Sequence, residues 1–218
     1  MGRSITVTGR ASVTLKADLC TVDMTVEDKN KDYAEAAAKM NEKLSELRAV
    51  CEKLGHRDGL KTASFNVRTE YTGVNEDGIY KNVFDGYVCS CGLSLSFDFD
   101  AGRLASLMDG LASCGADARL NVSFSVKDPA AAEASLLEAV CDDAKKKADV
   151  ICRRLEACPG KLLSVRQGGG IMNMRSSTEF AMDDLAAPRL MKNARFSPDI
   201  TPSDITINSE AIIEWEIL

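Results

Sequence analysis

The sequence is poor in the residues that build most catalytic centres. It has one histidine, His56, and aromatic residues occupy only 6% of its 218 positions. No GxSxG elbow, GxGxxG fingerprint or Walker-type GxxxxGKS or GxxxxGKT loop occurs. His56 follows a predicted helix end at Gly55, and no motif supplies a nucleophile for it, so we expect an exposed loop residue. The sequence therefore predicts a protein that is not an enzyme and that holds no cofactor and no metal.

Long apolar runs and an excess of positive charge are missing as well. No stretch approaches the ~20 apolar residues of a membrane span, and the net charge of −6 disfavours nucleic acid as a partner. The densest basic run is Lys145, Lys146 and Lys147, followed by Arg153 and Arg154. The acidic residues Asp142, Asp143, Asp149 and Glu156 are interleaved with it, which predicts a solvated helix face. No apolar signal-peptide region precedes the strand pattern that begins at Ile5. We expect a soluble protein of the cytoplasm.

Cysteine, in contrast, is plentiful. Several of the eight cysteines occupy apolar positions of periodic segments, which predicts free thiols in a reducing compartment. Cys89 and Cys91 lie two apart on a predicted strand, ~6.6 Å from each other with parallel side chains. A disulfide needs Cβ atoms ~3.8 Å apart, so this pair is predicted to pack in the core. The eight are Cys20, Cys51, Cys89, Cys91, Cys114, Cys141, Cys152 and Cys158.

The first thirty residues alternate apolar and polar side chains in two opposite phases. Apolar residues occupy odd positions from Ile5 to Leu15 and even positions from Cys20 to Val26. One flat strand cannot carry both phases, because a single face would change from core to water. The switch predicts a kink at Ala17-Asp18 and two strands in different sheets or lobes, and Gly9 predicts a bulge or bend.

The remaining periodicity predicts three helices and further half-polar strands. We expect helices near 32–54, 101–113 and 128–157, strands near 63–71, 87–99, 120–126, 163–165 and 205–217, and a loop or hairpin turn at 72–82. Half-polar strands favour antiparallel sheets with helices on one face, hence an α+β fold. The order from 17 to 128 is that of a ferredoxin-like βαββαβ lobe. Residues 1–16 and 129–218 would form a second, elongated lobe of the first strand, the long helix and the terminal strands.

The helix that opens with Asp128 as N-cap and Pro129 at N1 carries a candidate buried stripe. Its predicted members are Leu137, Val140, Cys141, Ala144, Ala148, Ile151, Cys152 and Leu155.

Residues 168–203 show no period, which predicts a long mobile loop that opens with a glycine hinge at 168–170. Half of the eight methionines lie in this loop. Because methionine adapts to irregular surfaces, the loop is a candidate contact with a neighbouring subunit or partner. Its methionines are Met172, Met174, Met182 and Met191.

Seven short segments, spread over nearly the whole chain, are Ile5–Ala11, Ala17-Asp18, Leu60–Thr62, Gly86-Tyr87, Val126–Pro129, Glu138–Ala148 and Ile213–Ile217. In their order and spacing they resemble the SIMPL-domain family. The resemblance implies a single SIMPL-like domain, 1–218, and no catalytic residue. It also implies relatives that are periplasmic or associated with the outer membrane, some forming large hollow rings and some linked to oxidative stress, and a mammalian relative that associates with a signalling kinase. The missing signal peptide, Ala17 in place of a common proline, and the cysteine content depart from that pattern and favour the cytoplasm.

Two functional hypotheses remain open at this point. The leading one is a non-enzymatic protein that forms homo-oligomers or binds a protein partner, with a link to stress response. The alternative is a thiol-based redox or small-ligand-binding protein that uses a cleft between the lobes. Cys152, beside two arginines, and Cys158 are its candidate thiols, although a helix C-terminus disfavours a thiolate.

Overall fold

The computed structural model describes residues 3–56, 59–76, 79–168, 173–182 and 200–218. Their elements, in chain order, are β1 (Ser4–Leu15), β2 (Leu19–Asn30), α1 (Tyr33–Lys53), β3 (Leu60–Glu76), β4 (Ile79–Asp98), α2 (Ala101–Ser113), β5 (Arg119–Ser125), α3 (Pro129–Arg154), β6 (Pro159–Gln167), β7 (Arg175–Met182) and β8 (Ile205–Ile217).

The chain divides into two compact units. One unit takes residues of 1–17, 125–177 and 203–218, and the other takes residues of 18–124 and 178–202. β1 belongs to a sheet of order β1-β8-β6, whereas β2 belongs to a sheet of order β3-β4-β2-β5-β7. The predicted kink at Ala17-Asp18, with two strands in different sheets, is confirmed.

The sheet that contains β2 has the strand order of a ferredoxin-like fold. Its first four strands and two helices follow one another as β2, α1, β3, β4, α2 and β5, and they lie side by side as β3-β4-β2-β5. β4 pairs antiparallel with both β2 and β3. From Cys20 to Val26 the even-numbered side chains of β2 are buried, and the odd-numbered ones are only partly buried or exposed. The predicted α+β fold with antiparallel sheets is confirmed.

The other sheet packs against α3 through the alternate residues of β1 and β8. Paired residues such as Val7 and Ile213, or Val13 and Ile207, project toward one face. Asp128 caps α3 by accepting the Ala131 N–H at 2.9 Å. The helix buries one residue every four positions: Ala132, Leu136, Val140, Ala144, Ala148 and Cys152.

The observed stripe of α3 corrects the predicted one. Leu137, Cys141, Ile151 and Leu155 lie outside the buried set, and the last of these is 71% exposed. A 3.6-residue pattern admits neighbours on either side of the stripe, and the pattern alone does not tell which neighbour faces the sheet. Three of the six buried residues are alanines, because the helix lies very close to β1.

The predicted bulge at Gly9 is wrong. The glycine instead allows α3 to lie close to β1. The pairing of β1 with β8 runs without interruption from Ser4 to Leu15, and Gly9 lies opposite Ala211. A Cβ atom on Gly9 would lie 2.3 Å from the Val140 carbonyl oxygen and 2.7 Å from the Ala144 Cβ. Glycine is needed at this position because the helix leaves no room for a side chain.

Two predicted loops contain strand. Residues 72–82 were predicted as a loop or hairpin turn; β3 and β4 do form a hairpin here, but β3 continues to Glu76 and β4 begins at Ile79, so the strands extend further than predicted. The 168–203 segment, for which no period is visible, contains β7 at the edge of its sheet. The hinge at 169–170 and most of the remaining segment lie outside the described residues.

Candidate interaction surface

The four methionines singled out in the sequence are not brought together in the described part of the chain. Met172 and Met191 lie outside the described residues, and Met182 is the last residue of β7. Met174 is half-buried and packs against a core cluster that includes Leu136 and Ile205. Its side chain therefore contributes to the core of its own unit. A contact role for the remainder of the segment stays a prediction.

His56, predicted to be exposed, is 6% exposed, and this prediction is wrong. The imidazole packs on Phe97, with ring centroids 4.8 Å apart. Burial, and secondarily the nearby Arg103 guanidinium, lower the pKa of His56 below its usual 6.5. α1 ends at Lys53 with Leu54 as its C-cap, and the backbone N–H of His56 donates to the Cys51 carbonyl, which turns the ring inward.

The core role predicted for Cys89 and Cys91 is confirmed, since both are at most 2% exposed. Burial raises the pKa of both thiols, and it raises the pKa of Cys20 to about 12 and that of Cys51 to about 11. A thiol attacks as the thiolate, so these four cysteines are poor nucleophiles. Of the two candidate redox thiols, Cys152 is buried in the α3 stripe and Cys158 is exposed.

The part of the chain that the structure describes contains no group of three or more histidine, cysteine, aspartate or glutamate side chains placed to hold a metal ion. None of its helices has both the length and the apolar character required to cross a membrane. A groove of about 380 Å³ lies between α1 and α2. Its lining is mainly apolar, and the charged residues Lys53 and Asp109 also border it.

A feature that the sequence analysis missed is the outer half of the β3–β4 hairpin, residues 71–75 and 80–84, which we call the arm. Every one of these residues is exposed. Strands with a buried face alternate between buried and exposed residues, and the arm does not. Yet it carries large apolar groups: Tyr71 is 57% exposed, Tyr80 is 80% exposed, and Val83 is 48% exposed.

A chain of aromatic rings connects the arm to the start of α1. Tyr71 lies edge-on to Phe84 with centroids 5.9 Å apart, and Phe84 lies edge-on to Tyr87 at 5.2 Å. Tyr87 in turn contacts Tyr33, the first residue of α1, at 5.8 Å. Each such pair is worth about 0.5–1.5 kcal/mol beyond its buried area, so the rings hold the arm in one position. Tyr33, Tyr71 and Phe84 nevertheless remain 52%, 57% and 38% exposed.

Tyr80 extends this surface toward the tip of the hairpin. Two carbons of its ring lie 3.7 Å from the point where a Cβ of Gly73 would be. The ring thus covers the glycine of the neighbouring strand, an arrangement that pins the register of exposed strands. The other face of the Tyr80 ring is not covered by any described residue, since Tyr80 is 80% exposed.

A β-bulge and a polar cluster form the base of the arm. Glu70 pairs with Gly86 but Tyr71 pairs with Phe84, so Asp85 is the extra residue on β4. Lys29 donates to Asp85 at 2.5 Å and lies 2.8 Å from Glu70. Thr72 donates to Asp85 at 2.6 Å. These hydrogen bonds, that of Lys29 first, lower the pKa of Asp85.

Gly86 allows the chain to bend at this bulge. Its φ is +139°, a conformation that residues with a side chain rarely adopt. A Cβ there would lie 2.7 Å from the Asn30 carbonyl oxygen. The bulge, the glycine and the polar cluster together fix the direction in which the arm leaves its sheet.

The sequence did hold a signal for this hairpin. Asp77-Gly78 is a typical two-residue hairpin turn, and the residues on both sides include tyrosine and valine, which favour strands. The predicted loop or hairpin turn at 72–82 includes this turn, but Gly73 and Asn75, which are typical of loops, concealed the strand on either side of it. Nothing in the sequence indicated that the aromatic residues are exposed, because the alternation of apolar and polar residues does not reveal whether a strand face is covered.

Comparison with known proteins gives a family and no activity. No curated protein matches the chain. The family model described as "SIMPL: Protein of unknown function (DUF541)" matches residues 5–215. A match over nearly the whole length confirms the resemblance drawn from the segments between Ile5 and Ile217, and the chain belongs to the SIMPL family.

Proposed function

We propose that this chain is a non-enzymatic protein that assembles with copies of itself, and that the arm is its contact surface. The observation that carries the proposal is the exposure of the arm on both faces together with its aromatic and β-branched content. Aromatic residues are enriched in protein interfaces, and contiguous exposed apolar surface in a soluble protein marks an interaction site.

The order of the arm supports the same function. A flexible partner-binding segment loses conformational freedom when it binds, which weakens the interaction. The arm is held by the ring contacts of Phe84 and by the hydrogen bonds of Asp85. It therefore presents a contact surface that is ordered before binding.

The buried thiols support a reducing compartment, and we propose the cytoplasm. Cys20, Cys51, Cys89 and Cys91 serve as small core hydrophobes whose thiols stay protonated. The link to stress response that the family resemblance implies stays a prediction.

Light scattering coupled to size exclusion, under reducing conditions and over a range of concentrations, tests the assembly. We expect a discrete mass above that of the 23.5 kDa chain. Tyr71→Ser combined with Tyr80→Ser should shift the mass toward the monomer, while circular dichroism stays that of the folded protein. Val150→Ser is the matched control, because Val150 is 58% exposed but lies on α3. A monomer at every concentration, or equal effects of both variants, would contradict the proposal.

A further inference from the structure

We infer that two copies of this chain join their sheets by antiparallel pairing of β3 with β3, centred on Thr69. This inference rests on the proposed self-assembly and specifies its geometry. It follows from three observations: the state of the β3 edge, the order of residues along it, and the location of its charges.

The first observation is that β3 is the outermost of the described strands of its sheet. Among the described residues, only β4 pairs with it. The pairing irregularity near Ala63 ends before Ser64, and the bulge at Asp85 lies on β4, so β3 itself runs regularly from Ser64 to Glu76. No proline interrupts this stretch. An uninterrupted outer strand offers a row of backbone N–H and C=O groups to another strand.

The other sheet shows how this chain protects an outer strand. On β1, the Arg10 backbone N–H donates to Asp143 at 2.7 Å, and Lys147 donates to the Thr8 carbonyl at 3.2 Å. Two side chains of α3 thus occupy backbone groups of β1. Among the hydrogen bonds of the described residues, none from a side chain reaches the backbone of β3 between Ser64 and Val74.

The second observation is that the sequence of β3 is complementary to itself in one register. With Thr69 opposite Thr69 of the second copy, Arg68 lies opposite Glu70, and the symmetric pair repeats the contact. Opposed residues on antiparallel strands have Cβ atoms about 4.5–5.5 Å apart, within reach of an ion pair. Registers centred on position 68 or 70 place like charges opposite each other. Of these three registers, the charges favour the one centred on Thr69.

The apolar residues fit the same register. Phe65, 60% exposed, lies opposite Gly73 of the second copy, beside the Tyr80 ring that already covers this glycine. Val67 lies opposite Tyr71, a β-branched and aromatic pair of the kind that stabilises strand pairing. Phe65 and Tyr71 become diagonal neighbours across the interface. The pairing thus adds cover to two of the most exposed aromatic residues near the arm.

The third observation is that the charges already lie on one face of the sheet. Arg68 is 3.5 Å from Glu27, and Glu70 is 2.8 Å from Lys29, both on β2. Directly opposed residues of a paired strand project from the same face. Across the two-fold axis, Arg68 and Glu70 of the second copy would continue this row of alternating charges. The contact is isologous and closes at two copies.

A charge exchange tests whether Arg68 and Glu70 pair between copies or act only through their ion pairs within the chain. Arg68→Glu should weaken assembly at least about 10-fold, because it creates two like-charge contacts across the axis. Glu70→Arg should do the same. The double variant R68E/E70R restores opposite charges between the two copies. Within each chain, however, its two exchanged residues face the like charges of Glu27 and Lys29. Recovery of assembly in the double variant supports the pairing, and additive loss overturns it.

Cross-linking tests the same register without changing a charge. Thr69→Cys, in a chain with Cys141→Ser and Cys158→Ser to remove the exposed thiols, should form a dimer with a short bis-maleimide on denaturing gels. Thr62→Cys in the same chain is the matched control, because the two copies of position 62 would lie far apart. Assembly with no cross-link at Thr69 overturns the pairing and leaves the proposed function standing. A monomeric wild-type chain overturns both.

Discussion

The contact of Gly9 with α3 gives the sharpest test of the packing. We expect Gly9→Ala to destabilise the unit that contains β1, because the added Cβ would lie 2.3 Å from the Val140 carbonyl oxygen. Real Cβ atoms essentially never approach within 3.0 Å. The atom in the way is backbone, so a change of rotamer cannot relieve the contact and the helix must move away from the strand.

The size of the destabilisation by Gly9→Ala follows from the packing contacts that are lost when the helix moves away. A retreat of roughly 1 Å forfeits a quarter to a half of the dispersion energy of the atoms concerned. Leu136 and Val140 are the large side chains of the α3 stripe, and full burial of each is worth about 1.5–3 kcal/mol. The loss is about 1–3 kcal/mol, and the smaller conformational entropy of alanine in the unfolded chain returns about 0.4–1 kcal/mol. We expect a net destabilisation of about 1 kcal/mol.

Urea unfolding followed by tryptophan fluorescence measures the stability of the structural unit that contains β1. Trp215 is the only tryptophan, and it lies on β8 opposite Ile5 of β1. A loss of about 1 kcal/mol lowers the urea midpoint by about 0.5 M. Ser12→Ala, at an exposed position of the same strand, is the control and should change stability by less than about 0.5 kcal/mol.

A second variant separates the two atoms that Gly9 faces. Ala144→Gly removes the Cβ that would lie 2.7 Å away but leaves the Val140 carbonyl in place. The double variant G9A/A144G should therefore be no more stable than Gly9→Ala. Full recovery in the double variant, or a midpoint of Gly9→Ala equal to that of wild type, would refute the reasoning.

Two further predictions follow from the titratable groups of the core. The pKa of His56 is lowered below 6.5 in the folded chain, so the unfolded chain binds a proton at this residue more tightly than the folded chain does. The contribution of neutral His56 to the free energy of unfolding is therefore complete above about pH 6.5 and is lost as the pH falls. The urea midpoint from circular dichroism should drop between pH 7.5 and 5.0 in wild type and less in His56→Gln; equal slopes contradict the account. Under native conditions a thiol reagent should label the exposed Cys141 and Cys158 quickly, and Cys20, whose pKa is raised to about 12, only after unfolding. Comparable labelling rates would show that Cys20 is accessible.

The fold was largely predictable from the sequence because its strands are half polar. The phase switch at Ala17-Asp18 separated β1 from β2, and the bounds of α2 and β8 were predicted within a residue or two. β7 was missed because its residues, from Arg175 to Met182, alternate too weakly to indicate a buried face. Gly9 was misassigned for a different reason: a bulge and a close helix both require glycine, and only the position of α3 distinguishes them.

The candidate surface was not predictable, since it depends on strand order. Whether β3 is an outer strand is decided by the pairing of β4 with β2, and those strands are separated in sequence by α1 and β3. Phe65 and Val67 alternate as core residues do, and the same alternation in β2 leads to complete burial of Val22 and Met24. One pattern therefore has two outcomes, according to whether a helix covers the strand. The complementarity of Arg68 and Glu70 becomes visible only once β3 is known to be an edge. For this reason the charge exchange between these two residues tests an inference that the sequence pattern alone could not have supplied.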